Sequence, residues 1–270
     1  SSANWKYNQS NVDLGTSWRN LGYNEAGWGT GQGVFYAGPI QGVVGAPVTQ
    51  AIAGLFNTGV NNSGVVLAAG QADPHYTIVV NAGGAAPIAA TVQNGHPAWT
   101  ANDAQSSWIG ITANGTDNVA DGNYNYRTSF DLTGMAFNTA SLTISVLVDN
   151  SLTDILINGQ STGIGTAGFA GAFLGPFTIN SGFVPGVNTL EFVTNNAGPG
   201  ANPGGFRAKV SGTVQTIPLN TQLTLGASTY YFRDTFNITG NPVNTALKLT
   251  AFVDDGAVFY INGTQVYAQN

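Results

Sequence analysis

Two stretches of the chain are near-copies of each other, and this repetition constrains the fold before any motif does. The first copy reads YNYRTSFDLTG (124–134), NTASL (138–142), VD (148–149) and ING (157–159). The second reads YYFRDTFNITG (230–240), NTAL (244–247), VD (253–254) and ING (261–263). The offset is 106 residues between Arg127 and Arg233 and 104 between Asn158 and Asn262, so only two positions are lost along the way. Agreement at a fixed period means one supersecondary unit used twice. After Gly159 the first copy continues through more strand-like sequence, whereas Thr264 to Asn270 is all that follows Gly263. The second copy is therefore expected to lack its last strands.

Strand signals are short and numerous. Residues 76–80, 141–148, 154–157, 189–194 and 247–253 alternate or run apolar, and Gly, Asn, Asp or Pro turns bound each of them. Asn158-Gly159 and Asn262-Gly263 predict two-residue hairpin turns, because both central positions of such a turn need positive φ. Only 47–57 has a helical period. The expected class is all-β, with two β-sandwich (jelly-roll-like) domains, one inserted into the other. The copy at 124–159 has a Trp-bearing head before it (Trp99, Trp108) and strands after it, giving a complete sandwich over 46–213. The copy at 230–263 lacks such a head nearby, but Trp5, Trp18 and Trp28 supply one at the N-terminus. Residues 1–45 plus 214–270 are thus expected to form a discontinuous outer sandwich lacking its last strands. Insertion at a loop is physically easy when the termini of the guest lie close together.

On these residues a resemblance can be stated. TYYFRDTF (229–236), DDGAVFYING (254–263) and the Trp-rich head resemble galactose-binding-like jelly-roll modules of large secreted or surface proteins of environmental bacteria. LFNTGV (55–60), DPHY (73–76) and WIG (108–110) resemble a related module of exported proteins, some of which carry C-terminal sorting signals. The resemblance implies a jelly-roll fold and an extracellular or cell-surface location. Its motifs are structural rather than catalytic. Modules of this kind commonly present Trp or Tyr rings to sugar faces, which makes Trp99, Asn102, Asp103 and Trp108 the candidate carbohydrate-binding cluster. Core or edge packing is the safer reading of these rings, since Trp is heavily buried on average and Trp18 and Trp28 occur in a comparable place in the other head.

Composition narrows the function classes. Charged residues make up 7% of the chain, against roughly 25% in an average soluble domain. The net charge is −6 with seven Lys and Arg in all, which removes the basic footprint that nucleic acids require and gives no basic cluster for anionic membranes. With no Cys, disulfides and Cys-based metal sites are excluded. No apolar run is long enough to span a bilayer, so no membrane insertion is expected. SSAN (1–4) reads as a mature or trimmed start, and export from a bacterium is expected.

Catalytic signals are weak. A glycosidase needs two carboxyl groups flanking its bond; the chain has two Glu, Glu25 and Glu191, neither beside another acid in sequence. His75 and His96 sit in turn-like contexts without a nucleophile elbow. GTGQG (29–33) lacks the Lys-Ser/Thr and the strand–helix setting of a phosphate loop and reads as a β-turn. The pairs Arg127/Asp149 and Arg233/Asp254 recur in both copies, and the expectation is a structural bridge within each pair. The competing reading is a structural calcium at Asp149, Asp254 and Asp255, the oxygen-rich end of the same strand; no other cofactor is expected. The expected function is a non-catalytic extracellular structural or adhesive protein, a subunit of a filament, surface layer or matrix. Its partners would be copies of itself, adding strands at the incomplete outer domain. The alternative is a carbohydrate-binding module of a larger secreted protein, with polysaccharide as partner.

Overall fold

The computed structural model describes residues 3–37, 43–44, 46–166, 171–239, 246–251, 253 and 255–269. The described chain is all-β, with one short 3-10 turn at Ser17–Arg19. It divides into two compact units, Ser1–Ala46 with Ile217–Asn270, and Pro47–Thr216.

The larger unit is built on an eleven-stranded antiparallel sheet, with a separate two-stranded pair of Asn118–Val119 and Asn202–Pro203. Its strands are β1 (Thr49–Ala51), β2 (Ala72–Asn81), β3 (Ile88–Val92), β4 (Ile109–Gly110), β5 (Gly122–Asp131) and β6 (Met135–Asp149). There follow β7 (Ser151–Ile157), β8 (Gln160–Ser161), β9 (Leu174–Ile179), β10 (Val187–Asn196) and β11 (Gly205–Thr216). The order is β8-β7-β10-β5-β2-β3-β4-β11-β6-β9, with β1 also pairing on β11. The short strand β4 is the joint: it pairs with β3 on one side and touches β11 at Ile109–Phe206 on the other. The sheet therefore curls until its two halves face each other, as in a β-sandwich. Phe206 of β11 lies 4.9 Å from the Tyr126 ring of β5 and 4.7 Å from that of Phe192 on β10.

The sequence dictates this core by period. β5 reads YNYRTSF over 124–130, and Tyr124, Tyr126 and Phe130 point inward while Asn125, Arg127 and Ser129 do not. Leu142, Ile144, Val146 and Val148 alternate inward along β6 in the same way. The Asn158-Gly159 turn has φ of 52° and 77°, and it joins β7 to β8 with no further loop residue. This is the positive-φ geometry that selects Asn-Gly.

The helical period at 47–57 is overridden. Thr49–Ala51 forms β1, laddered on Gln215–Thr213 and flanked by a reciprocal pair of bonds: Val48 N–H donates to Thr216 Oγ1, and Thr216 N–H to the Val48 carbonyl. The open edge of β11 supplies partners that a short helix would not.

In the smaller unit Asn4–Asn8 is the centre of a three-stranded sheet, between Gly29–Gln32 and Tyr231–Arg233. GTGQG, expected as a turn, is thus mostly strand. Its glycines permit the approach, because a Cβ at Gly29 would run into the Tyr7 ring and one at Gly31 into Thr221. Asn262-Gly263 turns a second hairpin, Ala257–Ile261 with Thr264–Gln269, at φ of 48° and 83°. The expected strand at 247–253 is not formed over its described residues. Its counterpart β6 is laddered on both β9 and β11, whereas no strand pairing involves the described residues 246–251. Without a ladder the backbone polar groups have no reason to extend.

Candidate functional site

The four residues of the candidate sugar cluster do come together, at the end of the larger unit where β4, β6 and β11 meet. Their side chains are spent on partners within the protein. Trp99 and Trp108 are both buried, ring to ring at 4.3 Å, and they pack on Leu147 and Phe173. Gly205 makes room, since a Cβ there would lie 3.0 Å from the Trp99 ring. The Trp108 indole N–H donates to the Thr100 carbonyl at 2.8 Å, and that of Trp99 to Asp149 Oδ2 at 2.9 Å. Asn102 accepts from the Trp108 backbone N–H and donates to the Gln93 carbonyl, both at 2.8 Å. Neither ring has a face left for a sugar, so the cluster is packing, not a platform. The reason is energetic: a Trp whose indole N–H finds an internal acceptor gains more buried area than any other side chain.

Asp103 belongs to a charge network that the sequence reading missed. Its Oδ2 meets Arg207 Nη2 at 2.7 Å and Lys209 Nζ at 2.8 Å, and its Oδ1 accepts the backbone N–H groups of Gln105 and Ser106. Partial burial pushes this carboxyl up. The Lys209 bond, the two backbone bonds and the Arg207 charge outweigh that and hold it at about 2. Arg207 is fully buried and also donates to Ser106 Oγ and to the Ala101 carbonyl. The signal for it was present: a lone Arg inside an apolar strand of a chain with so few charges.

The expected Arg127–Asp149 bridge is not formed, and the Arg233–Asp254 bridge falls outside the described residues. Arg127 pairs with Glu191, directly across the β5–β10 ladder at 2.6 Å, and not with Asp149. Asp149 is occupied by Trp99, and burial raises its pKa against the lowering effect of that bond. Arg233 pairs with Glu25 at 2.9 Å and donates to the carbonyls of Trp18 and Asn20. Asp254 lies outside the described residues. Among the described residues, each recurring Arg meets one of the two glutamates of the chain. As a calcium set, Asp149 is spent on an indole, Asp255 is exposed, and no group of three acidic or His side chains converges among the described residues. His75 stacks on Phe56 at 3.7 Å, and His96 Nδ1 accepts the Ala98 N–H.

The most unusual surface is in the smaller unit, and the repeat supplies its internal control. Phe130 is 3% exposed and its counterpart Phe236 is 61%. Leu142 and Ile144 are wholly buried, while the matching Leu247 and Leu249 are 53% and 56% exposed. Leu132 and Ile157 are buried; Ile238 and Ile261 are exposed. Among the described residues, the buried apolar side chains of this unit are Leu219 and Leu223 alone. In the larger unit the strands that carry these positions are laddered on β9, β10 and β11, all of which follow Gly159. The head adds little cover. The Trp18 ring stands edge-on to Tyr231 at 5.0 Å and to Tyr260 at 5.8 Å.

No family model, curated protein or solved structure matches this chain. The likeness to galactose-binding-like modules therefore rests on the motif residues alone.

Proposed function

We propose that the chain is a non-catalytic structural or adhesive protein of the cell exterior, a subunit of a filament, surface layer or matrix, whose smaller unit is completed by a neighbouring chain. The observation that carries this reading is the contrast between matched positions: apolar side chains that form a core in one copy of the repeat lie open in the other. Monomeric soluble proteins rarely expose contiguous apolar patches beyond a few hundred Å², and larger ones mark interaction sites. A roughly hundred-residue unit with so little buried apolar surface needs an added source of burial to be stable. A head-to-tail completion of that kind does not close on itself and builds an open polymer. The scarcity of charge and the abundance of Asn, Thr and Gly suit a durable extracellular material.

The test is the assembly state of native material, by electron microscopy together with intact mass. Filaments or sheets built from subunits of about 28 kDa support the reading. A protein that stays monomeric at high concentration, with a protected smaller unit, refutes it.

A further inference from the structure

Four Asn-Gly pairs occur in the chain: Asn94-Gly95, Asn114-Gly115, Asn158-Gly159 and Asn262-Gly263. In such a pair the glycine nitrogen can close on the side-chain amide carbon of the asparagine, because glycine has no Cβ to obstruct the approach. Whether a given pair reacts depends on whether the two groups are free to meet. The fold ties up three of the pairs and leaves the fourth open. Asn94 and Asn114 hold each other: Asn94 Oδ1 accepts the Gly115 N–H at 3.0 Å, and its Nδ2 donates to Asn114 Oδ1 at 3.2 Å. The nitrogen that would attack Asn114 is thus engaged, and Gly115 is buried so tightly that a Cβ on it would run into the Gly95 carbonyl. Asn158 is held by three bonds. Its Nδ2 donates to the Gly182 carbonyl at 2.9 Å and to Asn188 Oδ1 at 2.8 Å, and its Oδ1 accepts the Thr189 N–H at 2.9 Å.

Asn262 turns the same kind of hairpin, at φ of 48° against 52° for Asn158, with none of these restraints. Its side chain is exposed, and among the described residues neither its amide nor the Gly263 N–H takes a hydrogen bond. The Asn158 hairpin is anchored through the ladder of β7 on β10. Among the described residues, Ala257–Ile261 is laddered with Thr264–Gln269 alone. An isolated two-stranded hairpin is marginal in water, so this turn opens at small cost and samples the approach that attack requires.

We propose that Asn262 is a modification site, where the folded chain undergoes spontaneous deamidation in preference to its three other Asn-Gly pairs. The Gly263 nitrogen bonds to Cγ of Asn262 and gives up its proton, the Cγ–Nδ2 bond breaks, and ammonia leaves with that proton. The cyclic imide then takes up one water, which opens it at either carbonyl to aspartate or isoaspartate. Water is the sole co-reactant, and nothing is oxidised or reduced. The product adds one negative charge at the tip of the smaller unit's hairpin. As isoaspartate it also adds a methylene to the main chain inside a two-residue turn, which upsets the register of the strands that the turn joins. The mark falls on the unit that carries the open apolar positions, and the proposal stands whether or not a neighbouring chain completes that unit.

The test follows all four pairs at once. The folded 270-residue chain is aged in mildly alkaline buffer made with heavy-oxygen water, beside a sample unfolded in urea. Peptide mapping by mass spectrometry then gives the rate of label uptake at each asparagine, and an isoaspartyl methyltransferase counts the isoaspartate. In the folded chain Asn262 should react at least about tenfold faster than Asn94, Asn114 or Asn158, because each hydrogen bond that must open first slows the reaction roughly two- to tenfold. In urea the four rates should converge. Asn262→Gln should abolish the fast release of ammonia and leave the other three rates unchanged. Equal rates in the folded chain, faster loss at any of the other three pairs, or no reaction at Asn262 overturns the proposal. A ranking that urea leaves unchanged overturns it too, because the selectivity would then lie in the neighbouring sequence and not in the fold.

Discussion

Arg127 and Glu191 meet across adjacent strands, Nη2 to Oε2 at 2.6 Å and Nε to Oε2 at 2.8 Å, and the carboxylate is buried while the guanidinium keeps half its surface in water. Asn125 donates to the other oxygen of Glu191 at 2.6 Å. Both carboxylate oxygens are thus satisfied, which is the condition for burying one without a net penalty. Glu191→Gln retains the shape and loses the charge, and should cost about 1–3 kcal/mol, the worth of a hydrogen bond to a charged group. Arg127→Ala should cost at least as much, because it leaves a buried carboxylate unpaired. Urea denaturation of the larger unit's transition checks both; equal stability of all three proteins would show the pair to be ornamental.

The two copies of the repeat should differ in local stability by far more than their sequences do. Amide exchange reports the free energy of opening, which is highest where apolar contacts are dense. Amides of 142–148 and 188–194, between buried strands on both flanks, are expected to exchange orders of magnitude more slowly than those of 257–269 in the isolated chain. Hydrogen-exchange mass spectrometry resolves these segments. Equal protection would mean that the open apolar positions of the second copy are covered after all.

How much of this could be read from sequence depends on whether the signal was local. The strand signal at 141–148 and both Asn-Gly hairpin turns were legible, because each is set by a few adjacent residues. The partner of Arg127 was not legible. Asp149 recurs with it in the repeat, but Glu191 lies opposite it only through the register of β5 on β10. The Trp99–Trp108 cluster was found as a cluster with packing as the safer role, but sequence alone kept a sugar platform open beside it, since the two have the same composition and differ only in what covers them. Residues 247–253 have strand composition without strand structure over their described positions for the same reason: a strand is made by its neighbours.

Acid should weaken the Asp103 network in a defined window. The folded pKa is lowered to about 2 from an ordinary 3.8, so the folded state binds fewer protons than the unfolded one between those values. Stability from this group is complete above about pH 4 and is lost as pH falls towards about 2. Asp103→Asn should therefore be less stable than the parent at neutral pH, with the gap closing below about pH 3. Asp149 has the opposite sign. Burial raises its folded pKa, so it costs stability as pH rises above 3.8, and Asp149→Asn should gain on the parent in that direction. Chemical denaturation across the acid range separates the two slopes, and parallel curves for both variants would remove the assignment.

Trp108 carries the end of the larger unit, and its removal tests packing against display. Trp108→Ala deletes a fully buried ring that stacks on Trp99 and is anchored to the Thr100 carbonyl, so it should cost about 3–5 kcal/mol. Trp108→Phe keeps most of the volume and loses the indole bond, at a cost of about 1–2 kcal/mol. A displayed ring behaves otherwise: its removal barely changes stability, and its fluorescence is quenched by acrylamide at the rate of free indole. With Trp5, Trp18 and Trp28 changed to Phe, the remaining emission from Trp99 and Trp108 should be blue-shifted and resist quenching. Ready quenching in that variant, with a small stability loss in Trp108→Ala, would return the cluster to the surface and revive a ligand role for it.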